Sequence, residues 1–113
     1  MEEIKMKKIR TKLTGVLVED AQKNIRELEK TLERLETAKA TLSLIREPEN
    51  KFDSNAIRVE ADGKYLGYIP RETAKTLAGS VDEGSQFVIS QSWLNKSPVH
   101  EVVGLTVEIT EVL

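Results

Sequence analysis

At 113 residues, the chain suits one domain with a single modest core. It has no cysteine and one histidine, which excludes disulfides, thiolate metal sites and thiol nucleophiles and leaves almost nothing for a zinc centre or a His-dependent triad. Charged residues make up 32%, mean hydropathy is −0.36, and no apolar run approaches the roughly 18 residues of a membrane-spanning helix, so a cytoplasmic protein without a secretory signal is expected.

The net charge of −2 is unevenly spread: residues 1–12 carry a balance of +3 and residues 80–113 a balance of −4. A polyanion would meet the first half rather than the tail, although a basic end taken alone reads as a solubilising feature. One domain over 1–113 is expected, with its core over 9–113 and a flexible basic stretch at 1–8.

Ile9, Leu13 and Leu17 alternate with Arg10, Lys12 and Thr14, which predicts a half-buried strand from Ile9 to Val18. Gly15 within it marks a bulge or a close backbone contact. Asp20 is a candidate N-cap for a helix running to about Ala38. Ala21, Ile25, Leu28, Leu32 and Leu35 recur at spacings of three and four, a narrow stripe that lies on a β core or, in the minority reading, forms a dimer seam over residues 21–35. Ala40 to Arg46 returns to strand character, and Pro48 ends it because proline cannot donate to a ladder. Asn55 to Ala61 alternates with Ile57 and Val59 inward. Asp62-Gly63 predicts a type I′ hairpin turn, with the return strand over Lys64 to Ile69.

Pro70 starts a short helix, expected over Arg71 to Ala78 with Gly79 as its stop. Ser85 to Leu94 reads as a strand, Asn95 to Pro98 as a turn, and Val99 to Val112 as a long final strand. About six antiparallel strands with two appended helices, α+β and mostly β, is the consistent architecture. The segment 20–38 is then a helical insertion after the first strand.

No phosphate loop, nucleophile elbow or metalloprotease motif is present, and His100 reads as a surface residue beside a proline turn. The chain is therefore expected to be no enzyme and to need no cofactor or metal. The loop from Glu47 to Asn55 holds the specific chemistry. Asn50, Asp53 and Asn55 are turn formers whose side chains bond nearby backbone groups. Phe52 leaves two readings open: it plugs the core, or it stands exposed as a stacking platform worth ~1–3 kcal/mol per base.

Leu44 to Val59, reading LIREPENKFDSNAIRV, and Leu66 to Glu72, reading LGYIPRE, with Ala74, Leu77 and Ala78, resemble the signature of the HIRAN domain family over about a third of the chain. The resemblance implies a small OB-like or SH3-like antiparallel barrel with helices. It also implies single-stranded DNA binding by capture of a free 3′ end. Members occur fused to helicase-like ATPases of replication-fork repair and as small stand-alone bacterial or phage proteins, and the latter is the form expected here.

Carried over by position, Phe52 takes the place of the stacking tyrosine and Asp53 that of the carboxylate accepting the terminal 3′-hydroxyl. Asn50 contacts the last nucleotide or braces the loop, and Tyr68 on the neighbouring strand makes a backbone contact. Arg46, Lys51 and Arg71 are the cations assigned to phosphates. A helicase-like or nuclease protein is the implied partner.

The chain departs from the family pattern in three places. Lys51 stands where a proline is usual, Phe52 lacks the tyrosine hydroxyl, and Val16 to Val18 occupy the region where end-binding members carry an aromatic. In that region Val18-Glu19-Asp20-Ala21-Gln22 keeps only Glu and Gln of a bacterial Phe-Glu-Gly-Arg-Gln pattern. The rival reading is a protein-interaction module that uses the leucine-striped helix and has no DNA binding of its own.

Overall fold

The computed structural model describes residues 8–34, 42–99 and 101–112, with side chains in the first helix described through Lys30. The expectations for the stretch 1–7, for the helix end at 35–38 with Leu35, for the strand start at Ala40 and Thr41, and for His100 lie outside the described residues, as do those for the Leu32 side chain.

The elements run β1 (Lys8–Lys12), α1 (Glu19–Arg34), β2 (Leu42–Arg46), β3 (Ile57–Ala61), β4 (Lys64–Tyr68), α2 (Arg71–Asp82), β5 (Gln86–Lys96) and β6 (Val103–Val112). They form two antiparallel three-stranded sheets, ordered β1-β6-β5 and β2-β3-β4. The expected barrel is not closed among the described residues. The sheets meet through the bridge between Thr14 and Tyr68, whose two backbone hydrogen bonds measure 2.8 and 2.9 Å.

Alternation decides which face of each sheet is buried. Ile57, Val59 and Ala61 of β3 face Val103, Leu105, Val107 and Ile109 of β6 across one core, joined by Leu66 and Leu77. Each Val, Leu or Ile among them removed from water stabilises the fold by ~1.5–3 kcal/mol. From α1, Ala21, Ile25 and Leu28 enter this core with 0–4% exposure. The first half of the leucine stripe is thus an internal packing face.

Side chains fasten α1 as well. Gln22 donates to Val16 O and Val103 O at 2.6 and 2.9 Å and accepts from Val103 N at 2.8 Å, while Asn24 donates to Tyr65 O at 2.8 Å. Gln22, one of the two residues kept from the bacterial pattern, is a clamp between helix and sheet.

Several boundaries differ from the sequence reading. The first strand stops at Lys12. Leu13 still bonds Leu105 O, but Thr14 crosses to the other sheet and Gly15 turns the chain with φ +67°. The helix α1 begins at Glu19, with Asp20 in its first turn rather than at its cap.

Gly79 does not stop α2, which runs on to Asp82. The exit comes at Gly84, φ +107°, where the amides of Glu83, Gly84 and Ser85 satisfy the last carbonyls. Asn95 and Lys96 extend β5 instead of turning, because Asn95 pairs with Gly104 and its Nδ2 donates to Thr106 Oγ1 at 2.8 Å. The partner strand β6 begins at Val103 rather than Val99. The hairpin turn agrees with expectation: Asp62 and Gly63 both have positive φ, 49° and 83°, as type I′ requires.

Candidate nucleic-acid interface

The candidate loop spans the mouth between β2 and β3, closed by Glu47 N donating to Ala56 O at 2.9 Å. Asn50 is its hub. Its Oδ1 accepts the amides of Phe52 and Asp53 at 2.9 and 3.1 Å, its own N–H donates to Glu47 O, and its Nδ2 donates to Glu47 Oε1 at 3.0 Å. Asp53 repeats the device one step on, its Oδ1 accepting Asn55 N at 2.9 Å. These are Asx turns, in which a side-chain acceptor replaces a backbone one. Of the two roles open to Asn50, it performs the bracing.

Two arginines pin the loop from outside. Arg46 Nη1 donates to Ser54 O at 2.5 Å, while its Nε and Nη2 form a two-pronged pair with Asp82 at 3.2 and 3.1 Å. Arg71 Nη2 donates to Phe52 O at 2.7 Å, and its Nε lies 3.6 Å from Asp53 Oδ2. The backbone beneath Phe52 is therefore held on every side, yet its ring is 90% exposed.

A ring this exposed does not plug the core, so the core-plug reading of Phe52 is set aside. One cleft of about 530 Å³ lies between Phe52, the Pro48–Lys51 arm and Tyr68. A second, of about 280 Å³, lies between Phe52, Thr14, Asp53 and Arg71.

Tyr68 reaches this site because of a register shift. The pairing passes from Val59–Gly67 to Glu60–Tyr65, leaving Leu66 as an extra residue in β4. Strict alternation would put residues 65 and 68 on opposite faces. The bulge instead brings both tyrosines to one side, with ring centroids 5.7 Å apart. Tyr68 donates to Glu47 Oε1 at 2.8 Å. Burial, with the Glu47 carboxylate beside it, raises the Tyr68 phenol above its ordinary value, and burial likewise raises Tyr65.

Tyr65 donates to Gly15 O at 2.8 Å and carries the Arg58 guanidinium 4.7 Å above its ring. Both close approaches need glycine. A Cβ on Gly15 would stand 2.6 Å from the Tyr65 hydroxyl, and one on Gly67 would stand 2.7 Å from Thr14 O.

The fold thus gathers Asn50, Lys51, Phe52, Asp53, Tyr68 and Arg71 at one mouth. Arg46 lines the same cleft, but with 18% side-chain exposure it is a loop anchor rather than an open cation. Lys51 is exposed and Arg71 keeps 74% of its side chain in solvent. Sequence reasoning missed Glu47, which ties Asn50 to Tyr68, and Tyr65. Glu47 and Glu49 both flank Pro48, so position alone did not single out Glu47, and nothing local to Tyr65 announces the bulge. The Val16 side chain is half-buried against the core, so no ring from that segment faces Phe52. Among the described residues, no group of three or more acidic or histidine side chains could hold a metal, and no helix is long and apolar enough to cross a membrane.

Fold and site define a mostly β module of two antiparallel sheets and two helices, offering an exposed aromatic ring on a rigid polar loop. The HIRAN domain model matches residues 28–110, and the chain belongs to that family. Both stretches that carry the resemblance fall inside the match. A crystal structure of the HIRAN domain of human HLTF superposes with a TM-score of 0.57 at 18% identity, covering 92% of this chain and 74% of that one, a likeness of fold. No curated protein matches the chain.

Proposed function

We propose that this chain is a non-enzymatic single-stranded DNA-binding module that takes a free 3′ end at the Phe52 loop. The observation that carries the reading is a phenyl ring 90% exposed on a backbone locked by Asn50, Arg46 and Arg71. Rigid support means that little entropy is lost when a base stacks on the ring. Asp53 Oδ1 serves the loop, which leaves its other oxygen, beside Arg71, to accept a hydroxyl proton. A carboxylate there repels a terminal phosphate, so the site distinguishes an end from interior strand. Lys51 and Arg71 supply the cations for phosphates. With two of them, log affinity should fall against log salt with a slope of about −1.4.

The rival reading, a partner surface along α1, loses support because Ala21, Ile25 and Leu28 already pack inside this domain. The test is fluorescence anisotropy at low salt with 5′-labelled oligonucleotides ending in 3′-hydroxyl or 3′-phosphate. The hydroxyl end should bind more tightly, and Asp53→Asn, which keeps the cap on Asn55, should erase the difference. Equal affinity for both ends in the unsubstituted chain would overturn end recognition.

A further inference from the structure

The outer face of the β1-β6-β5 sheet has no part in the site above, and its edge strand carries a row of cations. Pairing sets three rows across it: Lys12–Thr106–Trp93, Arg10–Glu108–Gln91 and Lys8–Thr110–Val88. Lys8, Arg10 and Lys12 alternate outward along the edge strand and are exposed. The Arg10 guanidinium lies 4.4 Å over the Trp93 ring and is oriented by Glu108 at 3.2 Å, while 63% of its side chain stays in solvent. Glu108 is the one carboxylate in these rows, and the Arg10 hydrogen bond, then that of Ser90 and the charge of Lys8, hold it below its ordinary value against the opposing effect of burial. A guanidinium held over an indole with most of its side chain in solvent offers a planar cation on which a nucleobase stacks.

The chain leads from the Phe52 site into this face. Thr14 lines the cleft beside Phe52 and bridges to Tyr68, and through Leu13, still bonded to β6, the chain runs directly into β1. At ~3.3 Å per residue, Arg10 lies about 13 Å and Lys8 about 20 Å along the strand from Thr14. We propose that single-stranded DNA whose end sits at Phe52 continues along β1, its phosphates on Lys12, Arg10 and Lys8 and one base stacked on the Arg10–Trp93 pair. The inference rests on the Phe52 reading and adds a second subsite to it. It also gives a use to the basic charge at this end of a chain that is acidic overall.

Trp93 is the single tryptophan, so its emission reports this face alone. The full chain is titrated with unlabelled oligothymidylates of about 3 and about 12 nucleotides, below and within the ~4–16-nucleotide span of comparable single-strand sites. Binding is followed in parallel by competition against a labelled oligonucleotide. Both should bind, and only the longer should change Trp93 emission. Its salt slope should exceed that of the shorter by about 0.7 for each added cation. Arg10→Ala should weaken the longer about five-fold or more and leave the shorter unchanged, whereas Phe52→Ala weakens both.

The emission measurement needs no variant, so a poorly folded Arg10→Ala does not remove the test. A longer oligonucleotide that binds through Phe52 with no change in Trp93 emission and the same salt slope overturns the second subsite and spares the first. Failure of both oligonucleotides to bind overturns both.

Discussion

Phe52→Ala separates a binding residue from a packing residue by magnitude. A fully buried phenylalanine hides ~150–250 Å². At 90% exposure, Phe52 hides about a tenth of that, roughly 20 Å², worth ~0.5 kcal/mol at ~25 cal/mol per Å². For a domain of this size, that lowers the melting temperature by about 2–4 °C. The same truncation in a core would cost ~3–5 kcal/mol. Binding should respond in the opposite proportion, because loss of one base–aromatic stack costs ~1–3 kcal/mol, about 5- to 150-fold in affinity. Circular-dichroism melting and oligonucleotide anisotropy at low salt measure the two quantities on one preparation. A melting temperature lower by about 10 °C or more, or an unchanged affinity, would refute the assignment of Phe52 as an exposed stacking platform.

Three further outcomes probe the framework. Leu28→Glu places a carboxylate at a position 4% exposed and should cost on the order of 3–5 kcal/mol in urea unfolding; unchanged stability with an altered size by light scattering would instead mark the stripe as a partner surface. Gly15→Ala combines a positive φ of 67° with a Cβ 2.6 Å from the Tyr65 hydroxyl, and should destabilise by about 1–3 kcal/mol, read as an earlier thermal transition.

Tyr65 and Tyr68 should ionise above the ordinary value of 10.0 in a tyrosinate absorbance titration. Since the unfolded chain ionises first, the stability these phenols contribute is complete below that value and is lost as pH rises through their folded values. Ionisation at the ordinary value would contradict their burial.

Much of the frame was legible because it depends on period and turn chemistry. The alternation of Ile57, Val59 and Ala61, the Asp62-Gly63 turn and the Ala21-Ile25-Leu28 stripe each state locally which face is buried. The errors cluster where a tertiary contact overrides a local signal. Gly79 looked like a helix stop, but α2 runs past it to Asp82, and the positive φ that ends the turn falls at Gly84. Asn95 looked like a turn residue, but its bond to Thr106 keeps it in β5. Gly15 was legible as a bulge or close approach, though not what it approaches.

Within the site, the motif placed Phe52, Asp53 and Asn50 on one loop, and the structure adds why the ring can be exposed on a fixed backbone. The pairing of Tyr65 with Tyr68 depends on a one-residue register shift between Val59 and Glu60, and no local pattern encodes it. The commitment of Arg46 to Ser54 and Asp82 was equally invisible, because Asp82 lies 36 positions away.

The central claim is that the mouth formed by Asn50, Phe52, Asp53, Tyr68 and Arg71 receives the end of a single DNA strand. Titration of isotope-labelled chain with a short single-stranded oligonucleotide bearing a free 3′-hydroxyl, followed by amide and aromatic chemical shifts, tests it most directly. The account predicts that the largest shifts fall on residues 50–55, the Phe52 ring, Tyr68 and Arg71. Shifts centred on α1, or none at any of these residues at saturating oligonucleotide, would contradict it.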